Sequence, residues 1–223
     1  MLVEATVSNP LVGKTGRVCD ELERRLARGY YKFGEAISTN TLVEEFQTSR
    51  APVTAALSFL RAKGYLIITP QVGCEVVSPS ATEINDFFHF FGKVEGVVAA
   101  LAAERNEAGD ADLLSEICAR IKKITPKKRE EMSEDFLDLI GRYHHTIREI
   151  ARSPMVVERA ASYWRMHEFL LFNGTISDLK GLRTANRERA QIVQAIVAHD
   201  SERAAQLMET HVRGKPKRTG TLR

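Results

Sequence analysis

Residues Ser38 to Val76 constrain this chain most, because their apolar spacing admits only a short helix, a tight turn, a second helix and a hairpin. Leu42, Val43 and Phe46 form a brief stripe, Gln47-Thr48-Ser49 interrupts it, and Val53, Ala56, Leu57 and Leu60 then repeat at helical spacing. Ser38 and Ser49 stand where an N-cap hydroxyl would accept from free backbone N–H groups. Pro52 falls in a first turn, where its missing N–H costs little. Gly64 ends the second helix. Beyond it, Tyr65 to Thr69 and Cys74 to Val77 flank Pro70-Gln71-Val72-Gly73 as the two strands of a hairpin.

With Val53, Ala56, Leu57 and Leu60 facing inward, the second helix exposes Arg50, Ala51, Thr54, Ala55, Ser58 and Arg61. Side chains near the start of such a helix reach base edges when it lies in a major groove: Arg50 suits guanine O6 and N7, and Thr54 suits a phosphate or a thymine methyl. The expected DNA contacts are Asn40, Ser49, Arg50, Thr54, Ser58, Gln71 and Gly73. The bland alternative is a helical hairpin that only packs; agreement among caps, turn and wing argues against it.

The chain has 223 residues, 43% hydrophobic and 27% charged, enough for two modest soluble domains. No apolar run approaches the roughly 20 residues that span a bilayer, and the N-terminus lacks a basic segment followed by an apolar one, so the expected location is cytoplasmic. Cys19, Cys74 and Cys118 lack metal-ligand spacing, which excludes a zinc finger and a disulfide framework. The net charge of +3 comes from the end of the chain: Arg213, Lys215, Lys217, Arg218 and Arg223 lie past the last acid, and without them 27 bases face 29 acids. Affinity for nucleic acid must therefore come from a local patch, from two patches presented by a dimer, or from the tail.

The expected division is a winged helix-turn-helix over 1–78, a linker at 79–82, an all-helical domain over 83–213, and a basic, disordered tail over 214–223. Ser78-Pro79-Ser80-Ala81-Thr82 marks the boundary, with Thr82 capping a helix that begins at Glu83. Six amphipathic segments follow, at about 83–107, 110–123, 133–152, 154–173, 178–199 and 201–213. Asp110, Ser153-Pro154, Ser177 and Asp200 mark starts. The fold class is thus mainly α. The first bundle helix, with Ile84, Phe87, Phe88, Phe91, Val94 and Val98, carries more bulk than one side of a small bundle needs. Core packing and a dimer contact both account for it.

Polar residues sit on the apolar stripes of this second domain. His144 lies beside Phe136, Ile140, Tyr143 and Ile147. Trp164 and His167 lie near Val156, Ala160, Tyr163 and Leu170. Arg189 shares a face with Ala185, Ile192 and Ile196, and His211 with Ala204, Leu207 and Met208. A buried arginine needs a carboxylate, water or an anionic ligand, and Glu95 is the expected internal partner of Arg189. A single such histidine is an ordinary core residue; convergence from separate helices points to a small-molecule pocket formed by His144, Trp164, His167, Arg189 and His211.

Together the two halves resemble the GntR family of bacterial transcription regulators, in the branch with an all-helical FadR-type (FCD) ligand-binding domain. The resemblance covers nearly the whole chain. It rests on Gly34-Glu35-Ala36-Ile37-Ser38, Ser49-Arg50-Ala51-Pro52-Val53 with Ala56-Leu57 and Leu60, and Gly64-Tyr65-Leu66. Farther on it rests on Arg142-Tyr143-His144, Ser153-Pro154-Met155, Ile192 to Ile196, and Met208-Glu209-Thr210-His211-Val212.

The resemblance implies a homodimer, usually a repressor, that binds an inverted-repeat operator and responds to a small carboxylate or related metabolite. In many relatives an aspartate and three histidines hold a divalent metal. Here His144 and His211 match two of those positions, Ile140 stands at the aspartate position and Arg189 at the remaining histidine, so no metal or other cofactor is expected. Arg189 would supply the positive charge instead. The reading head also departs from the family pattern: Asn40 replaces an arginine, Thr54-Ala55 an arginine-glutamate pair, and Gln71-Val72 a glycine with a basic residue. Only Arg50 remains of the usual basic contacts, which predicts either weaker and less salt-dependent DNA binding than is usual in the family or a different operator sequence. The competing readings are a regulator scaffold without effector response, and a helical metal- or small-molecule-binding enzyme. The latter lacks any visible nucleophile–base pair, carboxylate pair or complete metal shell.

Overall fold

The computed structural model describes residues 11–126, 133–173 and 180–214. The sequence expectations at Ser177 and in the tail beyond Gly214 lie outside these. The described residues up to Ser80, together with Trp164–Asn173, form one compact unit; Ala81–Tyr163 and the described residues from 180 onward form a second.

In the first unit α1 (Gly13–Ala27) buries Val18, Cys19, Leu22 and Leu26, recurring every three or four residues, and packs against α3. This helix lies outside the elements expected from the sequence. α2 (Thr39–Glu45) and α3 (Arg50–Ala62) are the two helices of the reading head, and α3 buries Val53, Ala56, Leu57 and Leu60 as its spacing predicts. The Ser38 hydroxyl accepts from Thr41 N–H at 3.3 Å. Ser49 occupies the N-cap position of α3 but its side chain makes no capping hydrogen bond, which corrects that expectation. Gly64, at φ +85°, takes the left-handed turn that closes α3.

The hairpin is β2 (Leu66–Thr69) against β3 (Gly73–Val76), antiparallel with Leu66 opposite Val76 and Thr69 opposite Gly73. A third strand, β1 (Ala36–Ile37), pairs with the other edge of β3, Ala36 opposite Glu75, giving the order β1-β3-β2. Two residues are too few to leave a period-2 signature in sequence. Phe169 reaches the core of this unit, edge-on to Phe33 at 5.4 Å and to Tyr65 at 5.2 Å. Residues 164–173, expected within one contiguous helical domain, therefore group with the head.

The second unit is built from α4 (Ala81–Arg105), α5 (Asp110–Ile124), α6 (Glu134–Ile150), the first half of α7 (Pro154–Asn173), α8 (Lys180–Val197) and α9 (Ser201–Arg213). α4 starts at Ala81, so Thr82 lies inside the first turn and does not precede it. Ser133 caps α6 through Phe136 N–H at 3.2 Å, and Asp200 caps α9 through Arg203 N–H at 3.0 Å. α4 and α9 approach closely because two glycines face α9: a Cβ on Gly96 would stand 3.1 Å from the Ala205 carbonyl oxygen, and one on Gly92 3.2 Å from that of Glu209. No described helix is long and apolar enough to cross a membrane. The three cysteines are free thiols, two buried and one half-buried.

Candidate functional site

On the head, Arg50, Ala51, Thr54, Ala55, Ser58 and Arg61 all lie exposed along one side of α3, opposite its buried stripe. Asn40 on α2, Ser49 before α3, and Gln71 and Gly73 in the wing are exposed as well. The wing tip is a tight turn, closed by Val72 N–H donating to the Thr69 carbonyl at 3.1 Å, with Gln71 at φ +63° and Gly73 at φ +146°. That geometry lifts Val72 into solvent at 82% exposure. The wing's exposed acid, Glu75, lies in β3, and no lysine or arginine occurs between Tyr65 and Val77.

In the second unit, α4, α6, α8 and α9 bring together a buried polar cluster. Glu95, 1% exposed on α4, is its hinge: one carboxylate oxygen meets His144 Nδ1 at 2.9 Å, and the other accepts from Arg148 at 2.7 and 3.1 Å. His144 and Arg148 are one turn apart on α6, so a single carboxylate reaches both. The His144 ring stacks on that of His211 from α9, with centroids 5.8 Å apart. His211 Nδ1 in turn meets Glu188 of α8 at 2.7 Å. Both imidazoles are fully buried.

Arg189, next to Glu188 and 3% exposed, donates to the Asn186 side-chain oxygen at 2.7 Å, and Asn186 donates to Thr125 at 2.8 Å. Tyr143, beside His144, donates its hydroxyl to the Arg189 carbonyl at 3.2 Å. Burial pushes the Tyr143 phenol well above its ordinary pKa, so it stays a neutral donor. Cys118 on α5 is pushed up to about 11, also by burial, with a small opposing pull from Arg189.

The structure brings His144 and His211 ring to ring and places the Arg189 side chain against Asn186, and it corrects the Glu95 expectation: its oxygens serve His144 and Arg148, not Arg189. Trp164 and His167, ring to ring at 4.6 Å, belong to the head unit. Arg148 and Glu188 escape the sequence reading. Arg148 carried a usable signal, lying four residues after His144 on the same helical face; Glu188 shows its role only once α8 and α9 are packed.

The donor set does not fit a divalent metal. Ile140 and Arg189 supply no ligand atom, and among the described residues no group of three His, Cys, Asp or Glu is placed to hold one.

Residues 14–76 match the family "Bacterial regulatory proteins, gntR family", and residues 86–214 match the FCD domain. The chain belongs to the GntR family of transcriptional regulators, with an FCD domain. Its similarity to the HTH-type transcriptional repressor GlaR of Escherichia coli K12 is 23% identity over 86% of this chain and 89% of that one. The gluconate operon transcriptional repressor of Bacillus licheniformis is 28% identical over 59% of this chain and 52% of its own length. Among solved structures, E. coli McbR/YncC superposes with a TM-score of 0.74 at 20% identity, covering 91% of this chain and 94% of that one, a likeness of fold. This GntR-family protein is a regulator and not an enzyme.

Proposed function

We propose that this regulator is a repressor that binds an inverted-repeat operator as a homodimer through α3 and the wing, and that a small anionic metabolite, a carboxylate by preference, modulates that binding from the FCD domain. The observation that carries the reading is the buried polar cluster of the second unit, where two imidazoles stack, Glu95 bridges His144 to Arg148, and a further buried guanidinium, Arg189, follows Glu188 on α8. Burying such groups is expensive unless they are hydrogen-bonded and compensated, and an anion is the ligand class that profits most from them. Arg189 stands where relatives place a metal-binding histidine, and here its charge takes over the metal's part in holding a carboxylate. Two relatives named as repressors support the direction of control.

The test is thermal melting of the full chain with succinate and gluconate as probes, beside the Arg189→Met variant. A ligand at a hundred times its Kd adds about 2.7 kcal/mol of stability. A rise in the wild type that is absent in the variant supports the site. A second reading, a scaffold without effector response, has its own support: Glu95 and Glu188 already occupy the Nδ1 atoms of both histidines. A wild type whose melting is unmoved by any small anion favours that reading.

A further inference from the structure

Between α2 and α3 the chain turns through Gln47 at φ +48°, a left-handed conformation that residues with side chains rarely adopt and that persists only where the surroundings impose it. Local chemistry does little to impose it. α2 has seven residues and fully buries only Leu42, too short to hold its direction alone, and the Ser49 side chain makes no capping hydrogen bond at the start of α3. The grip comes from α1. The Arg25 guanidinium donates through Nε to Glu21 of its own helix at 2.7 Å and through Nη2 to Glu45 at the end of α2. It also lies 5.5 Å from the ring centroids of both Phe46 and Tyr30. Its side chain is only 16% exposed, so a phosphate has little access to it.

Glu45 is placed against two electrostatic preferences. A carboxylate at a helix C-terminus opposes the helix dipole, and one on a DNA-binding head repels phosphates. α2 has no base in its last turn to offset the charge; Arg25 of α1 does so instead. We infer that Arg25 is a positioning residue for DNA reading: by holding Glu45 and Phe46 it fixes the turn into α3, and so the direction in which Arg50 is presented, without touching DNA itself. The inference rests on α3 being the element that enters the groove, as proposed above, and concerns what aims it. The task requires arginine. Its planar fork serves two carboxylates on different helices while lying near aromatic rings, whereas a lysine ammonium is a single point of charge.

The experiment measures fluorescence anisotropy of the full chain on a duplex that the wild type selects from a randomised pool, with Arg50→Ala as reference and circular dichroism to confirm folding. Arg25→Lys and Glu45→Ala should each weaken binding about tenfold, the size of one misplaced base contact, and the double variant should bind no worse than Arg25→Lys, because both remove one interaction. The sign at Glu45 is decisive. Loss of its charge alone would strengthen binding to DNA, whereas loss of its grip weakens it. Glu45 is exposed, so its replacement leaves the core intact and keeps the test open even if an Arg25 variant fails to fold. Arg25→Met should leave the slope of log K against log salt unchanged; a shallower slope would make Arg25 a phosphate contact and overturn the inference. So would a folded Arg25→Lys that binds like the wild type, or a Glu45→Ala that binds more tightly, while a loss in Arg50→Ala leaves the α3 reading intact. A wild type that selects no duplex overturns both.

Discussion

At the scale of single residues, α3 holds Arg50 at its exposed start with no competing base nearby on the same face. Arg50→Ala should weaken operator binding by about 1–3 kcal/mol and relax preference at one base position, measured by titration of matched and mismatched duplexes. Glu95 is the counterpart in the helical body. Its removal as Glu95→Ala takes one buried carboxylate from both Arg148 and His144, and the expected loss in urea unfolding is about 3–5 kcal/mol. Glu21 shows how pH enters. Its carboxyl is held down at about 2, first by hydrogen bonds from Arg24 and then by Arg25, against an opposing push from partial burial. Because the folded pKa lies below the ordinary carboxylate value, its contribution is complete above about pH 5 and fades as pH falls toward 2. Melting curves of wild type and Glu21→Gln should therefore differ at neutral pH and converge near pH 2. The inward position of Arg189 could be read from helical periodicity. The partner of Glu95 could not, since it depends on how α4 and α6 are rotated against each other.

At the scale of elements, caps and turns were readable where chemistry is local. Ser38 caps α2 and Asp200 caps α9, because a hydroxyl or carboxylate three residues before a free N–H needs no tertiary help. Ser49 shows the limit: it has the right residue type and place, yet its side chain makes no cap bond. The α4–α9 contact was invisible in sequence, although Gly92 and Gly96, one turn apart, are what allow it. Gly96→Leu drives a side chain against the Ala205 carbonyl and should cost about 1–3 kcal/mol, read as a lower urea midpoint with an unchanged slope. The strand β1 escaped because two residues that complete a sheet edge are recruited by β3 rather than by their own pattern.

At the scale of the whole molecule, the balance of charge shapes how DNA is held. With few basic contacts on the head and an apolar wing tip, few counterions are released on binding, and the dependence of affinity on salt should be shallow. Val72→Lys places one cation on each wing tip. If each neutralises one phosphate, the slope of log K against log salt steepens by about two for a dimer, measurable by fluorescence anisotropy across salt concentrations. A wing that stays clear of DNA would leave the slope as it was.

Helical repeat, turn residues and the order of motifs were enough by themselves to declare a winged helix-turn-helix, an all-helical partner domain and the inward or outward sense of most side chains, because each depends on neighbours within one element. Packing alone decided that Glu95 serves His144 and Arg148, that Glu188 meets His211, and that Trp164–Asn173 joins the head. Those outcomes depend on the rotation and separation of helices far apart in the chain, and a difference of one ångström or a few tens of degrees reassigns every partner.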